Sequence, residues 1–199
     1  MTSYLLLTFF WVLFYILHSL LITNRMKNYM QRILKDYFKY YRLSYNIFST
    51  ITFLIIIWYA ATIPVFFVFD KNPISNYMGL FLAVLGVIIG KKGFKAYNTG
   101  EFLGISQIRN NQDQPEEYND LKTDGLQGKV RHPLYSATIC LFIGFWFFSP
   151  TIANSITVIA ALLYLIIGIR LEEKKLIKHF GRAYLDYKNK VPMLIPKFW

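Results

Sequence analysis

The chain has 199 residues, of which 55% are hydrophobic, 19% aromatic and 17% charged. Soluble domains carry about 25% charged residues, and disordered chains lack the aromatic and aliphatic residues that abound here, so both classes are excluded. The single Cys140 and three scattered histidines (His18, His132, His179) exclude a disulfide framework and leave no expected metal site, while the net charge of +11 gains meaning from its distribution.

A membrane span needs about 20 mainly apolar residues. Tyr4 to Thr23 supplies the first, without a formal charge. It lacks the basic start and small-residue cleavage site of a signal peptide. Leu43 to Phe69 is the second, long enough to cross with tilt and expected to kink at Pro64. Tyr77 to Gly90 is the third, extended to residue 92 by Lys91 and Lys92 if they snorkel. Leu134 to Phe148 and Thr151 to Ile169 are the fourth and fifth, with Arg170 at the boundary. Only Ser149-Pro150 separates them, which predicts a tight helical hairpin. The expected fold is therefore all-α, with five transmembrane helices in one domain spanning 1–199.

The basic residues test this count. Segments 24–42, 91–133 and 170–199 hold six, seven and eight of them, segment 70–76 holds one, and the turn at 149–150 holds none. Alternate segments thus carry 21 of the 22, as the positive-inside rule asks of five spans. The N-terminus is expected outside and the C-terminus in the cytoplasm, in a bacterial inner membrane. Such a basic face suits membrane lipids as partners. No basic groove motif accompanies it, so no nucleic acid is expected.

Between the third and fourth spans, 98–129 is rich in polar residues and glycine, and Asn110 to Pro115 reads as a loop. Beyond Arg170 the tail reads as an amphipathic cytoplasmic helix, with Leu176, Phe180 and Tyr184 at a spacing of four, ending at Val191-Pro192. Gly86 and Gly90 have GxxxG spacing and would admit a close helix.

Three places carry chemical variety. His18-Ser19 lies in the first span, where an ionisable group is a functional candidate by default, although an interhelical hydrogen bond is the plainer reading near the boundary. Arg131-His132-Pro133-Leu134-Tyr135 leads from a Gly-rich loop into the fourth span, with proline suited to the first helical turn. His132 and Tyr135 there either bind a ligand or, with Arg131, anchor the chain at the interface. Glu172 and Glu173 end the fifth span, either as carboxylates held for a ligand or as favourable charges at the start of a new tail helix.

Taken together, Arg131-His132-Pro133-Leu134-Tyr135, a helical hairpin, then Glu172-Glu173-x-x-Leu176, Phe180-Gly181-x-x-Tyr184-x-x-Tyr187 and Val191-Pro192 resemble a known signature. It is that of the isoprenylcysteine carboxyl methyltransferase and phospholipid methyltransferase superfamily, membrane enzymes that use S-adenosylmethionine and release S-adenosylhomocysteine. Gly100-Glu101-Phe102-Leu103-Gly104, Gly168 to Glu173 and Val191 to Pro196 look closer to the methanethiol S-methyltransferase-like branch, and His18-Ser19-Leu20 with Tyr41-Arg42-Leu43 fits it more loosely. The resemblance implies a cofactor-binding half at 100–196. Its matched contacts are Gln107, Leu121, Lys122, Gln127, His132, Pro133, Leu134, Tyr135 and Glu172, with Gln127 where the family often has tyrosine. The carboxyl methyltransferases carry a substrate-linked arginine where this chain has Gly168, with Arg170 nearby. A small lipophilic or thiol substrate is therefore expected in place of a carboxylate. Arg170 would favour its thiolate and Glu173 would accept the proton. A prenylcysteine carboxylate or a lipid amine is the alternative acceptor, and a membrane scaffold or transporter subunit the non-enzymatic one.

Overall fold

The computed structural model describes residues 1–95, 97, 99–110 and 120–197. These residues are all-helical, without a strand, and four helical stretches are long and apolar enough to cross a membrane. They are Thr2–Ile22, Asn24–Thr62, Pro73–Phe94 and Ile152–Phe180; Pro133–Phe148 is apolar but shorter. The chain divides into two compact units, Met1–Phe66 with Tyr97–Pro115, and Phe67–Ala96 with Glu116–Trp199.

In the first unit, helix α1 (Thr2–Ile22) packs on α3 (Tyr41–Thr62). Between them run the short α2 (Asn24–Leu34) and a 3-10 turn at Lys35–Tyr40. Thr23 separates α1 from α2: its hydroxyl donates to Leu20 O at 2.8 Å and accepts from Met26 N at 3.2 Å, capping the new helix. The α1–α3 seam is aromatic, with Trp11 fully buried and its ring 5.6 Å from that of Phe53. Towards the other end, the Tyr45 hydroxyl lies 2.9 Å from His18 Nε2, and Ser49 Oγ lies 3.2 Å from His18 Nδ1. The interhelical hydrogen bond expected of His18 is thus present.

The second span differs from expectation at its far end. The helix stops at Thr62 instead of kinking at Pro64, because the proline ring disfavours helical backbone at the preceding residue and Ile63 is extended, with ψ of 137°.

Two short helices complete this unit, α5 (Thr99–Leu103) and α6 (Ile105–Asn110). Asn46 Nδ2 donates to Phe102 O and Leu103 O, and Arg42 Nε to Phe102 O at 3.2 Å, so α3 caps the carbonyl end of α5. Gly104 between α5 and α6 has φ of 90°, and a Cβ there would fall 2.7 Å from Leu43 N. Only glycine meets both demands. Of the loop expected at Asn110–Pro115, Asn110 closes α6 and 111–115 lie outside the described residues.

The second unit begins with α4 (Pro73–Phe94), longer than the apolar run alone suggested. Asn72 and Ser75 form a capping box and Pro73 occupies the first turn, so the helix starts in polar sequence. It packs against α7 (Pro133–Phe148) along Gly79, Gly86 and Gly93, spaced by seven. A Cβ on Gly86 would lie 2.9 Å from Ala137 O, and one on Gly79 3.0 Å from Gly144 O. Gly90, the other half of the GxxxG pair, has ordinary room at 3.6 Å. The close seam therefore follows a seven-residue period.

Helix α8 (Ile152–Phe180) follows the expected tight turn, its Asn154 N capped by Thr151 Oγ1, and Trp146 Nε1 donates across to Ser155 Oγ at 2.8 Å. It does not end near Arg170. It runs unbroken for 29 residues to Gly181, which has φ of 56°, and only then does α9 (Arg182–Lys190) begin. The expected tail helix is thus the polar end of α8 plus α9. No new helix starts at Glu172, because the change from apolar to charged residues marks a solvent boundary and contains no helix breaker.

Candidate functional site

The chemically varied segments of the second unit converge where the loop before α7 meets the polar end of α8 and the C-terminal segment. Tight turns from Gly125 to Gly128 bring the chain to Val130, whose N–H donates to Leu126 O at 2.9 Å. The next two residues pair with the tail: Arg131 N donates to Pro192 O at 2.9 Å and His132 N to Met193 O at 3.1 Å. Ser136 Oγ adds a bond to Leu194 O at 2.7 Å. Tyr187, buried on α9, donates its hydroxyl to Gln127 O at 2.6 Å. Backbone acceptors of the loop and tail, satisfied one by one, hold the entrance of α7 against the end of α9.

At the centre is Glu173, beyond the apolar part of α8 and 6% exposed. Arg131 Nε donates to its Oε1 at 2.8 Å, His132 Nε2 donates to the same oxygen at 3.2 Å, and Lys188 Nζ donates to Oε2 at 2.6 Å. Arg131 Nη1 further donates to the carbonyls of Lys188 and Val191. Burial alone would raise the carboxyl pKa, but the hydrogen bonds from Lys188, Arg131 and His132 and the Arg131 charge outweigh it and hold the group at about 2. Three donors thus hold the carboxylate in place between the loop before α7 and the end of α9.

Glu172, its sequence neighbour, points elsewhere because successive helical residues are turned by about 100°. Its side chain is half-buried, and its Oε2 lies 3.9 Å from His132 Nδ1, too far for a hydrogen bond. The His132 Nδ1 edge and the Glu172 carboxylate therefore face the same space without a direct hydrogen bond. Tyr135 stands one turn along α7, its ring edge-on to His132 with centroids 5.5 Å apart. Its hydroxyl lies 3.6 Å from the position a Cβ on Gly168 would take.

The other expected site residues are distributed as follows. Pro133 and Gln127 are buried, Leu134 is partly buried and packs its side chain towards Gly93, Leu121 is partly buried, and Lys122 is exposed. Arg170 is exposed on α8. Gln107 belongs to the first unit, on α6, where its Nε2 donates to Glu101 O at 3.3 Å and its Oε1 is buried without a partner. The structure thus brings His132, Tyr135, Glu172 and Glu173 together. It adds Arg131, Lys188, Tyr184 and Tyr187, which sequence reasoning had left as an anchor, a tail cation and parts of a motif. The signal available for the two tyrosines was their spacing of three on one helix face.

An S-adenosyl cofactor requires acceptors for its ammonium and donors for its carboxylate. The half-buried Glu172 carboxylate, beside His132, supplies the first. The buried Tyr184 hydroxyl, the second polar side-chain atom without a partner among the described residues, is of the kind needed for the other. The residues present fit the group.

Comparison with known proteins places this site in context. The chain is 28% identical over 92% of its length to "Methanethiol S-methyltransferase" of Crocosphaera subtropica, covering 71% of that protein. It is 27% identical over 92% of its length to "Methanethiol S-methyltransferase 1" of Bradyrhizobium diazoefficiens, covering 64% of it. Over 62% of its length it is 31% identical to "Protein-S-isoprenylcysteine O-methyltransferase B" of Arabidopsis thaliana, covering 59% of it. These relatives bear out the superfamily resemblance carried by the histidine-proline and paired-glutamate segments. No solved structure matches. The family model described as "Protein of unknown function (DUF1295)" matches residues 4–191, and the chain belongs to that family.

Proposed function

We propose that this protein is an integral membrane methyltransferase that uses S-adenosylmethionine to methylate a small thiol such as methanethiol. The observation that carries the reading is the meeting of His132 with Glu172 and Glu173, some forty residues apart in sequence, at 3.9 and 3.2 Å. The names of the relatives point to the same chemistry.

When bound, the cofactor supplies an electrophilic methyl group on a sulfonium. The chain's own residues then have three tasks. Glu172, beside His132, receives the ammonium, fixing one end of the donor. Glu173, locked by Arg131 and Lys188, orients the His132 ring and is a positioning residue. Tyr135, with the segment from His132 to Tyr135, lines the approach to the methyl group and restricts water. A thiol reacts as its thiolate; with Arg131 committed to Glu173, the exposed Arg170 is the cation we assign to favour that anion.

A prenylcysteine carboxylate or lipid amine is the second acceptor class. The backbone of Gly168 beside the Tyr135 hydroxyl supports the thiol instead, since no guanidinium stands there to pair with a carboxylate. A scaffold or transporter subunit finds less support, because the polar side chains His18, Tyr45 and Ser49 within the first unit bond to one another. The proposed topology counts the shorter α7 as a fifth span, with the N-terminus outside, the C-terminus in the cytoplasm and a bacterial inner membrane as the site.

Calorimetry with S-adenosylhomocysteine in detergent tests the reading. Wild type is expected to bind, and His132→Ala and Glu172→Ala to bind at least tenfold more weakly. Absence of binding by wild type, or equal binding by all three, overturns it. Headspace detection of dimethyl sulfide from cells given methanethiol tests the acceptor, and consumption of a prenylcysteine with no dimethyl sulfide formed overturns the thiol assignment.

A further inference from the structure

Helix α2 is set off from its neighbours at both ends. Thr23 before it is extended, with φ of −65° and ψ of 146°, and Lys35 after it has φ of 47°. The apolar span α1 ends at Ile22, so α2 begins one residue beyond it. None of the 11 residues of α2 is buried, and none is acidic.

At about 100° per residue, the helix sorts its side chains by polarity. Met26, Tyr29, Met30, Ile33 and Leu34 share one side, and Asn24, Asn28 and Gln31 the other. Arg25 and Arg32 stand together on the border next to Tyr29 and Ile33, while Lys27 stands on the opposite border. The rest of the unit covers only half of the apolar side. Met26, Met30 and Leu34 are partly buried, whereas Tyr29 and Ile33 are 57% and 56% exposed. The uncovered half is the one bordered by Arg25 and Arg32, both exposed.

A basic amphipathic helix of this kind settles at the boundary between headgroups and acyl chains. Tyrosine suits that depth, and arginine can lay its methylenes on apolar surface while its guanidinium reaches a phosphate. Asp36 is the one acid in segment 24–42, against six cations, so the charge favours anionic headgroups over zwitterionic ones. Direct continuity with α1 puts this face where a span leaves the membrane, with lipid as its neighbour.

We infer that α2 is a headgroup-recognition helix in the interface of the membrane that α1 crosses, with Tyr29 and Ile33 at the acyl boundary and Arg25 and Arg32 on the phosphates of anionic phospholipids. This rests on the membrane reading above and is independent of the methyl-transfer chemistry.

The test uses the full chain in lipid nanodiscs, with Cys140→Ser and a single fluorophore attached through Ile33→Cys. Phospholipids brominated on the acyl chain quench a fluorophore that touches them. Two equal mixtures of phosphatidylglycerol and phosphatidylcholine are compared, one with the first lipid brominated and one with the second. Both should quench, and phosphatidylglycerol should associate about fivefold more strongly for each arginine present. Arg25→Gln with Arg32→Gln should erase the difference and leave quenching in place. Lys174→Gln with Lys178→Gln, exposed cations of α8, should leave the difference unchanged. A separate fluorophore through Phe9→Cys, a position 57% exposed on α1, distinguishes the failures. Quenching at neither position overturns the membrane reading itself. Quenching at Phe9→Cys alone, or shielding of Ile33→Cys that follows protein concentration and so marks a second copy, overturns only the α2 assignment. Equal quenching by the two lipids, or a preference that survives the arginine substitutions, overturns headgroup recognition.

Discussion

Arg131 Nη2 lies 2.7 Å from Glu173 Oε1, with each side chain only 8% exposed. A pair so far out of water is sensitive to loss of one partner, because the remaining charge stays buried without compensation. Glu173→Gln leaves Arg131 and Lys188 facing a neutral amide. It is expected to destabilise the protein by about 3–5 kcal/mol, read as a large drop in melting temperature in detergent. A drop no larger than that of an exposed control such as Asp186→Asn would refute the assignment.

The same carboxylate predicts a pH dependence. Its folded pKa of about 2 lies below the ordinary 4.5, so its stabilisation is fully present above pH 4.5 and is lost as pH falls towards 2. The difference in melting temperature between wild type and Glu173→Gln should be constant above about pH 5 and should shrink below 4.5. A difference that persists unchanged down to pH 2 would show that Glu173 is not held as a carboxylate.

The two glycines of the GxxxG pair are expected to behave oppositely. Gly86→Ala forces a methyl to within 2.9 Å of Ala137 O, backbone that cannot swing aside. Such overpacking costs about 1–3 kcal/mol. Gly90→Ala meets only an ordinary contact at 3.6 Å and gains helix propensity, worth about 0.5–1 kcal/mol. Thermal melts of the two variants should fall on opposite sides of wild type.

Tyr187→Phe removes the donor to Gln127 O and leaves a buried carbonyl unpaired. A loss of about 1–3 kcal/mol is expected, in contrast to the neutral or stabilising Tyr184→Phe. Denaturation of the two variants side by side checks the difference. Equal destabilisation would mean that both phenols have partners.

In the first unit, Gly104→Ala combines a left-handed φ of 90° with a Cβ 2.7 Å from Leu43 N. It is expected to unfold the α5–α6 elbow at a cost of several kcal/mol, about 2–4 by analogy with strained and overpacked sites. Arg42→Ala, which removes one of the donors to Phe102 O, should cost about 1 kcal/mol. Limited proteolysis around 99–110 reports both; equal resistance of Gly104→Ala and wild type would contradict the strain argument.

Composition and spacing by themselves determined much of this protein. Long apolar runs have no stable alternative to the helix in a bilayer, because every backbone polar group there must be satisfied within the segment. The all-helical class, the tight turn at Ser149-Pro150 and the hydrogen-bonded role of His18 followed from that. Residues quoted from the sequence, His132 and the glutamate pair, also lie together in the structure, because short local motifs already carry their own chemistry. What sequence could not decide was which of two adjacent carboxylates turns inward. Helical rotation separates Glu172 from Glu173, and only the packing of α9 and the loop before α7 buries one among three donors while leaving the other half-buried. Likewise Arg131 read as an interfacial anchor, since nothing local reveals a partner 42 residues away. The length of α8 was hidden for a related reason: polarity reports where the membrane ends, whereas Gly181 and the tail contacts set where the helix ends.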